Sequence, residues 1–295
     1  MSIFTGSGVA IVTPMNADES VNYDKLRELI DFQIDHGTNC IVICGTTGEA
    51  STLTDEEQLE CIRVAVEHTN KRVPVMAGTG SNHTAHGIEL SQKAEALGAD
   101  ALLLVTPYYN KTTQKGLIRH YTDIAAAVNI PIMLYNVPSR TGLNIEPSTA
   151  KALSLVDNIV AIKEASGNIA QVVDLAHAVE GRLDIYSGND DQILPLLALG
   201  GKGVVSVIAN ILPKETHDIV ANYRTGDLEG ALARQLKMHE LTKAIFCEVN
   251  PIPIKKALNL MGMNVGPTRG PLFEMEPANV EHLRKAMLKM GLNLQ

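Results

Sequence analysis

Eight short apolar runs alternate with helical patterns along this chain, and that alternation constrains its fold more than any other feature. The runs are near-continuous in apolar residues, as in parallel strands covered on their outer face. They cover residues 9–13, 40–44, 73–77, 101–106, 131–137, 159–163, 183–187 and 203–207. Helices between parallel strands make right-handed crossovers, and eight βα units favour a closed barrel over an open doubly wound sheet. The sequence therefore predicts an α/β fold, a (β/α)8 TIM barrel.

The helical segments have recognisable ends, and they continue after the last strand. Asn22 is expected to cap the first helix, and Thr54 with Glu57 has the spacing of a capping box. After about residue 226 the strands stop, and residues 227–246, 254–261 and 277–292 have helical patterns. A chain of 295 residues suits a barrel of about 250 residues with additions. We predict a barrel domain that contains the active site over residues 1–225 and a C-terminal helical domain over residues 226–295.

Composition and charge exclude several classes of protein. A formal net charge of −8 and a pI near 5.6 argue against a nucleic-acid partner, which needs a basic surface. No run approaches 18 apolar residues, so we expect no membrane span. The N-terminus resembles no signal peptide, and the four cysteines form no CxxC pair, which favours free thiols in a reducing cytosol. We expect a cytoplasmic protein.

Lys163 stands at the end of the sixth predicted strand, where burial is expected. A lysine is rarely fully buried, because its ammonium group loses solvation in a low dielectric. Burial favours the neutral amine, which is a nucleophile and can form a Schiff base with a carbonyl group. For a lysine considered alone, a side chain that reaches solvent from the strand end is the more common arrangement. The residues at the other strand ends distinguish a buried, nucleophilic lysine from one whose side chain reaches solvent.

Polar residues follow several predicted strands, at the edge where barrel enzymes build their active sites. Thr46 and Thr47 stand between glycines after strand two, Tyr135 lies in strand five, and Arg140 follows it. Alone, each has an ordinary explanation as a turn hydroxyl, a core tyrosine or a surface arginine. Together with Lys163 they suit imine chemistry, because paired hydroxyls can relay protons and an arginine can bind a carboxylate. The residues alone predict carbon–carbon bond formation or cleavage through a lysine imine of a small keto acid.

The sequence contains three motifs that resemble those of the dihydrodipicolinate synthase / N-acetylneuraminate lyase superfamily of class I aldolases: Gly45-Thr-Thr-Gly-Glu49, Tyr135-Asn-Val-Pro-Ser-Arg-Thr-Gly142 and Lys163-Glu-Ala-Ser-Gly167. The resemblance extends over essentially the whole chain, including Asn250-Pro-Ile-Pro-Ile-Lys255.

Two features make the resemblance closest to one branch of this superfamily. That branch condenses pyruvate with L-aspartate 4-semialdehyde, the first committed step of the diaminopimelate and lysine pathway. Sialic-acid lyases usually have Ser-Thr where this chain has Thr46 and Thr47, and Arg140 matches the arginine that binds the semialdehyde carboxylate. The alternative is another pyruvate-dependent class I aldolase, such as an N-acetylneuraminate or keto-deoxy-sugar acid lyase.

The resemblance implies a catalytic role for four positions. Lys163 would form the imine with pyruvate, and Tyr135, hydrogen-bonded to Thr46, would be the central proton carrier. Tyr109 would complete the relay from a neighbouring subunit. That arrangement implies a homo-oligomer, at least a tight dimer and usually a tetramer built of such dimers. No metal and no organic cofactor are implied.

The resemblance also implies four substrate-binding positions. Thr47 would hold the pyruvate carboxylate by its hydroxyl and backbone N–H, and Arg140 would bind the carboxylate of the semialdehyde. Gly188 and Val205 would line the pocket through backbone groups.

A regulatory site for lysine, which some members of the superfamily have at the dimer interface, differs here. Asn82 and Tyr108 fit its pattern. Asp55 and Gln58 stand where lysine-sensitive members have histidines, and His86 stands where they have a glutamate that binds the ammonium group. We therefore predict weak or absent inhibition by lysine.

Two more distant alternatives can be weighed on the residues. A metal-dependent barrel enzyme could use His83 and His86, but no carboxylate–histidine set accompanies them at the strand ends. A non-catalytic binding barrel would tolerate Lys163 but leaves Tyr135 and Arg140 unexplained.

Overall fold

The strands of this chain close into one parallel barrel. The computed structural model describes residues 2–295, and in it eight strands pair in chain order, with β1 also paired to β8. They are β1 (Gly6–Ala10), β2 (Cys40–Ile43), β3 (Val75–Gly78), β4 (Ala101–Val105), β5 (Ile132–Asn136), β6 (Ile159–Glu164), β7 (Asp184–Ser187) and β8 (Gly203–Ser206). The predicted (β/α)8 barrel is confirmed.

The helices lie between the strands and after the last one. They are α1 (Tyr23–Asp35), α2 (Asp55–Thr69), α3 (Thr84–Ala96), α4 (Gln114–Ala125), α5 (Pro138–Thr141), α6 (Pro147–Leu153), α7 (Ile169–Val179), α8 (Ile193–Ala198), α9 (Pro213–Thr225), α10 (Leu228–Lys237), α11 (His239–Ile245), α12 (Ile252–Leu260) and α13 (Pro277–Lys289). Both predicted caps are confirmed: Asn22 Oδ1 accepts from Lys25 N, and Thr54 and Glu57 form a capping box. The short helix α5 was not predicted.

The first strand begins and ends three residues earlier than the apolar run predicts. Residues 6–9 pair with residues 203–206 of β8. Ile11 and Val12 are buried but lie beyond the strand, and Val12 N donates to Asn210 Oδ1 at 3.1 Å. An apolar run indicates which residues are buried and not which residues pair in the sheet. Here the buried residues continue beyond the last residue that pairs with β8. The predicted bounds of this strand were therefore wrong.

The barrel interior holds an apolar cluster of its own, separate from the layer between strands and helices. At its lower end the rings of Phe4 and Tyr186 lie 4.6 Å apart, and the Tyr186 hydroxyl donates to Phe4 O. Burial raises the pKa of Tyr186, which keeps this hydroxyl a donor. Because side chains fill the lower interior, the open space lies at the carboxyl ends of the strands, as in other barrels of this type.

The C-terminal helices pack beside the barrel. The predicted helix over residues 227–246 is two helices, α10 and α11, which meet at Met238. Helix α10 packs against α8 and α9 of the barrel, and α12 contacts the turn of residues 208–210 near the barrel mouth. The division into two domains at residue 226 stays a prediction. In residues 2–295 no helix is long and apolar enough to cross a membrane.

Candidate active site

Lys163 lies in the barrel interior near the carboxyl end of β6. Its neighbours in strand register are Tyr135 on β5 and Tyr186 on β7, and only 5% of the residue is exposed. Lys163 Nζ is 4.2 Å from the centroid of the Tyr135 ring, which is a cation–π distance. The structure thus brings the predicted nucleophile and the predicted proton carrier into contact.

Gly188 leaves the space that the Lys163 side chain occupies. It follows β7, and a Cβ atom there would lie 3.0 Å from Lys163 Cε and 2.7 Å from Ala165 Cβ. Overpacking of this kind forces neighbouring side chains to move. A side chain at position 188 would therefore displace the lysine from its place beside Tyr135. The predicted backbone contact of Gly188 with substrate stays a prediction.

A cavity of about 190 Å³ lies at the barrel mouth, with Lys163 in its wall. Six of the predicted site residues line it: Lys163, Tyr135, Thr46, Thr47, Arg140 and Gly188. Two do not. Val205 is buried deeper in the barrel interior, and Val207 lines the cavity instead. Tyr109 does not line this cavity and is 92% exposed.

The loop after β2 offers hydrogen-bond donors to the cavity. Its shape is fixed by bonds from Gly48 N to Gly45 O at 3.0 Å and from Thr13 Oγ1 to Gly48 O at 2.6 Å. Within residues 2–295, the backbone N–H groups of Thr46 and Thr47 donate to no protein acceptor, and both residues line the cavity. Successive backbone N–H groups in a turn can bind an anion. The loop is therefore suited to a carboxylate.

Arg140 lies at the cavity rim on α5, the helix that was not predicted. It is exposed, and one guanidinium nitrogen donates to Asn250 O at 3.2 Å. In the described part of the chain it makes no ion pair with an acidic side chain. Its remaining N–H groups are available for a carboxylate, which a guanidinium can bind with two parallel hydrogen bonds.

The predicted hydrogen bond between Tyr135 and Thr46 is not formed among residues 2–295, although both side chains line the cavity. Tyr135 is 7% exposed, and Thr46 is half-buried. Catalytic hydrogen bonds often tighten only when substrate is bound. The relay through Thr46 stays a prediction.

Tyr109 stands out from the surface in the loop after β4. Its backbone has φ 67°, which is uncommon for a residue other than glycine. Asparagine side chains on both sides hold the loop: Asn110 Nδ2 donates to Asn82 O at 2.9 Å, and Asn82 Nδ2 donates to Tyr108 O at 3.2 Å. The loop therefore holds an aromatic residue at an exposed position.

Comparison with known proteins places this chain in a family. Residues 3–290 match the model of the dihydrodipicolinate synthetase family. The chain belongs to that family. The 4-hydroxy-tetrahydrodipicolinate synthase of Lachnoclostridium phytofermentans is 64% identical over 293 residues, which are 99% of this chain and 100% of that protein.

Solved structures of the dihydrodipicolinate synthase family have the same fold. The chloride-inhibited enzyme from Acinetobacter baumannii, complexed with pyruvate, is 45% identical with a TM-score of 0.96, covering 98% of this chain and 99% of that one. The enzyme from Cyanidioschyzon merolae with lysine bound is 39% identical with a TM-score of 0.96, covering 99% of this chain and 100% of that one.

A second cavity of about 400 Å³ adjoins the first. It is lined by Asp55, Gln58, His86 and Tyr108, four of the five positions compared with a lysine site, whereas Asn82 does not line it. The two cavities share residues of their walls, among them Thr46, Tyr135 and Arg140. In the second, His86 Nε2 lies 3.0 Å from Asp55 Oδ2. The side chains at these two family positions are thus bound to each other.

The histidines considered for a metal site have other surroundings. His86 Nδ1 lies 3.2 Å from Ser81 Oγ, and His83 precedes α3 as its N-cap residue. Residues 2–295 contain no group of three or more potential metal ligands. The two histidines belong to the wall of the second cavity and to a helix start.

Asn250 lines the site but was not among the predicted site residues. It lies between α11 and α12, lines the cavity of Lys163, and is 4% exposed. Its presence in the family motif of residues 250–255 was the available signal. Nothing in the local pattern links it to Thr47, which precedes it by 203 residues.

Proposed function

We propose that this chain condenses pyruvate with L-aspartate 4-semialdehyde through a lysine Schiff base to give 4-hydroxy-tetrahydrodipicolinate, the first committed step of the diaminopimelate and lysine pathway. One observation supports this most directly: the Lys163 amine is buried against Tyr135, in a cavity that is also lined by Thr46 and Thr47, whose backbone N–H groups are unpaired in the described residues. The names of relatives at 54–64% identity point to the same reaction.

The residues of the cavity fit the steps of this reaction. The loop of Thr46 and Thr47 holds the pyruvate carboxylate, and the Lys163 amine adds to the keto carbon; loss of water gives the imine. Removal of a methyl proton gives an enamine, whose carbon attacks the aldehyde carbon of the second substrate. The amino group of that substrate then adds to the imine carbon and closes the ring, which releases Lys163. Overall, two substrates give one product and one water.

In this proposal Tyr135 is the proton carrier. Changing Tyr135 to Phe should lower kcat about 10²-fold or more, the usual effect of losing a general acid–base group, because the ring remains beside Lys163 while its hydroxyl is lost. Steady-state kinetics with both substrates measure this. Tyr121→Phe is the matched control, since the buried Tyr121 hydroxyl donates to Leu104 O and does not line the cavity. An unchanged kcat in Tyr135→Phe would remove this residue from the relay.

Reductive trapping tests the proposed function. The protein is incubated with pyruvate and borohydride, digested, and mapped by mass spectrometry; the expected result is a reduced pyruvate adduct on Lys163. Aspartate semialdehyde and N-acetylneuraminate are then supplied in turn. Turnover of the semialdehyde supports the proposal, whereas cleavage of N-acetylneuraminate alone would favour the sialic-acid lyase reaction. Absence of an adduct would reject the imine mechanism.

A homo-oligomer, a tetramer built of tight dimers, is part of this proposal. Support comes from Tyr109, whose side chain is 92% exposed on a loop that the Asn110 and Asn82 side chains hold. The side chain would complete the proton relay of a neighbouring subunit. Full activity from a species that sediments as a monomer would contradict this arrangement.

Lysine should inhibit this enzyme weakly or not at all. A glutamate at position 86 would offer a carboxylate to the ammonium group of lysine, but His86 offers an imidazole, and the nearby Asp55 carboxylate is already paired with it. Initial rates at increasing L-lysine concentration measure the effect. Half-inhibition at submillimolar lysine would contradict the prediction.

We also propose the cytoplasm as the compartment of this enzyme. Cys40, Cys44 and Cys61 are buried free thiols, which suits a reducing environment.

A further inference from the structure

Asn250 contacts two of the predicted substrate-binding groups at once. Its side-chain nitrogen Nδ2 donates to Thr47 Oγ1 at 2.9 Å. Its backbone oxygen accepts from the Arg140 guanidinium at 3.2 Å. Its side-chain oxygen Oδ1 is buried and has no hydrogen-bond partner in residues 2–295. A buried acceptor without a partner costs free energy. A gain in stability therefore does not explain the position of this side chain.

The contact with Asn250 determines where the Thr47 hydroxyl proton points. An amide nitrogen can only donate, so Thr47 Oγ1 must accept at that contact. The single hydroxyl proton then points elsewhere, and in the described residues it donates to no protein acceptor. Thr47 lines the cavity and is 2% exposed. The acceptor that remains for it is a group bound in the cavity.

We propose that Asn250 is a positioning residue for pyruvate binding: it makes the Thr47 hydroxyl a donor toward the keto-acid carboxylate and anchors Arg140 at the rim. This inference rests on the proposed function, because it takes pyruvate as the occupant of the cavity. Asn250 acts through Thr47 and Arg140 rather than on the reacting atoms. The proposal also gives the segment between α11 and α12 a role in substrate binding.

Two other residues of the C-terminal segment also contact the loop after β2. Lys255 Nζ donates to Glu49 Oε1 at 2.8 Å, and Arg269 N donates to Glu49 Oε2 at 2.9 Å. Glu49 follows Thr47 by two residues and has φ 56°, so the loop has an uncommon backbone conformation at its end. These bonds hold the Glu49 side chain at the end of the loop, and Asn250 holds the Thr47 hydroxyl.

A double-mutant cycle tests the inference. Thr47→Val removes the hydroxyl with little change of shape and should raise the KM for pyruvate about tenfold or more, as expected when a hydrogen bond to a charged group is lost. Asn250→Ala should raise the KM for pyruvate about threefold to tenfold, in the range of one lost hydrogen bond, because the Thr47 hydroxyl can then turn away from the substrate. If Asn250 acts through Thr47, the double variant should have the KM of Thr47→Val alone. Multiplied effects, or an unchanged KM in Asn250→Ala, would overturn the inference.

Asn259→Ala is the matched control. Asn259 lies in the same C-terminal segment, donates to Gly266 O at 2.9 Å and accepts from Val265 N at 2.7 Å, and does not line the cavity. Its removal should lower the melting temperature and leave the KM for pyruvate unchanged. An equal rise of KM in this control would show that Asn250 acts only through the stability of the segment, and would overturn the inference.

Asn250→Asp serves if Asn250→Ala does not fold. The two side chains have nearly the same shape, but a carboxylate only accepts hydrogen bonds. The Thr47 hydroxyl should therefore donate to this carboxylate instead of to the substrate, and the KM for pyruvate should rise as it does in Thr47→Val. A KM equal to that of the unmodified protein would overturn the inference. Trapping with pyruvate and borohydride in the unmodified protein separates the two proposals. No adduct there rejects the proposed function, whereas an adduct with an unaltered KM in the Asn250 variants rejects only the inference.

Discussion

Replacing Lys163 by methionine is expected to lower turnover on the order of 10⁴-fold or more, as for removal of a nucleophile in other covalent catalysts. Methionine keeps most of the volume beside Gly188 and Tyr135, so the barrel should fold. It offers no amine to the keto carbon, and neither the loop of Thr47 nor Arg140 can replace the covalent step. The measurements are kcat with both substrates and the yield of the borohydride-trapped adduct, which should fall to background.

Lys202→Met provides the control for this experiment. Lys202 precedes β8, at the opposite end of the barrel from the cavity, and lies 3.9 Å from Asp184 with 39% of its side chain exposed. Its replacement should leave kcat and the adduct at Lys163 unchanged. Substantial turnover by Lys163→Met, or an adduct at another lysine in the unmodified protein, would contradict the assignment of the nucleophile.

Replacing Lys255 by methionine should lower the free energy of unfolding by about 3–5 kcal/mol, the range seen when one partner of a buried ion pair is removed. Lys255 is 2% exposed and lies 2.8 Å from Glu49. Burial lowers the pKa of Lys255, and the Glu49 carboxylate opposes that shift. Without the lysine, Glu49 keeps a buried charge with fewer partners. Urea denaturation followed by circular dichroism measures the loss.

Two further variants make this result specific. Adding Glu49→Leu to Lys255→Met should recover much of the loss, because apolar replacements of both partners remove the uncompensated charge. Lys289→Met breaks an exposed ion pair with Glu240 and should lower the free energy of unfolding far less, because solvent screens such pairs. Equal destabilisation by Lys255→Met and Lys289→Met would contradict the role of the buried pair.

The position of the nucleophile could be predicted because strand order and barrel geometry determine it. Lys163 and Tyr135 lie on consecutive parallel strands, so their meeting at one end of the barrel follows once both strands are recognised. The resemblance of motifs then added what burial and periodicity do not contain, namely the identity of the keto acid and of its partner aldehyde.

Other features depend on contacts that no local pattern reports. The bounds of β1 differ because Ile11 and Val12 are buried outside the sheet. The hydrogen bond of Thr47 with Asn250 joins residues 203 positions apart, and helical periodicity gives no information on such a pair. The exposure of Tyr109 likewise becomes visible only when the loop after β4 is placed in space.

The bonds between the C-terminal segment and the loop after β2 have a consequence for biosynthesis. The loop leaves the ribosome early, but Asn250, Lys255 and Arg269, which hold it, are translated some 200 residues later. A nascent chain that already contains Lys163 therefore lacks the contacts that orient the Thr47 hydroxyl and fix Glu49. Its amine can be present before the carboxylate site is organised. The loop therefore gains these side-chain contacts only when the last part of the chain has been synthesised.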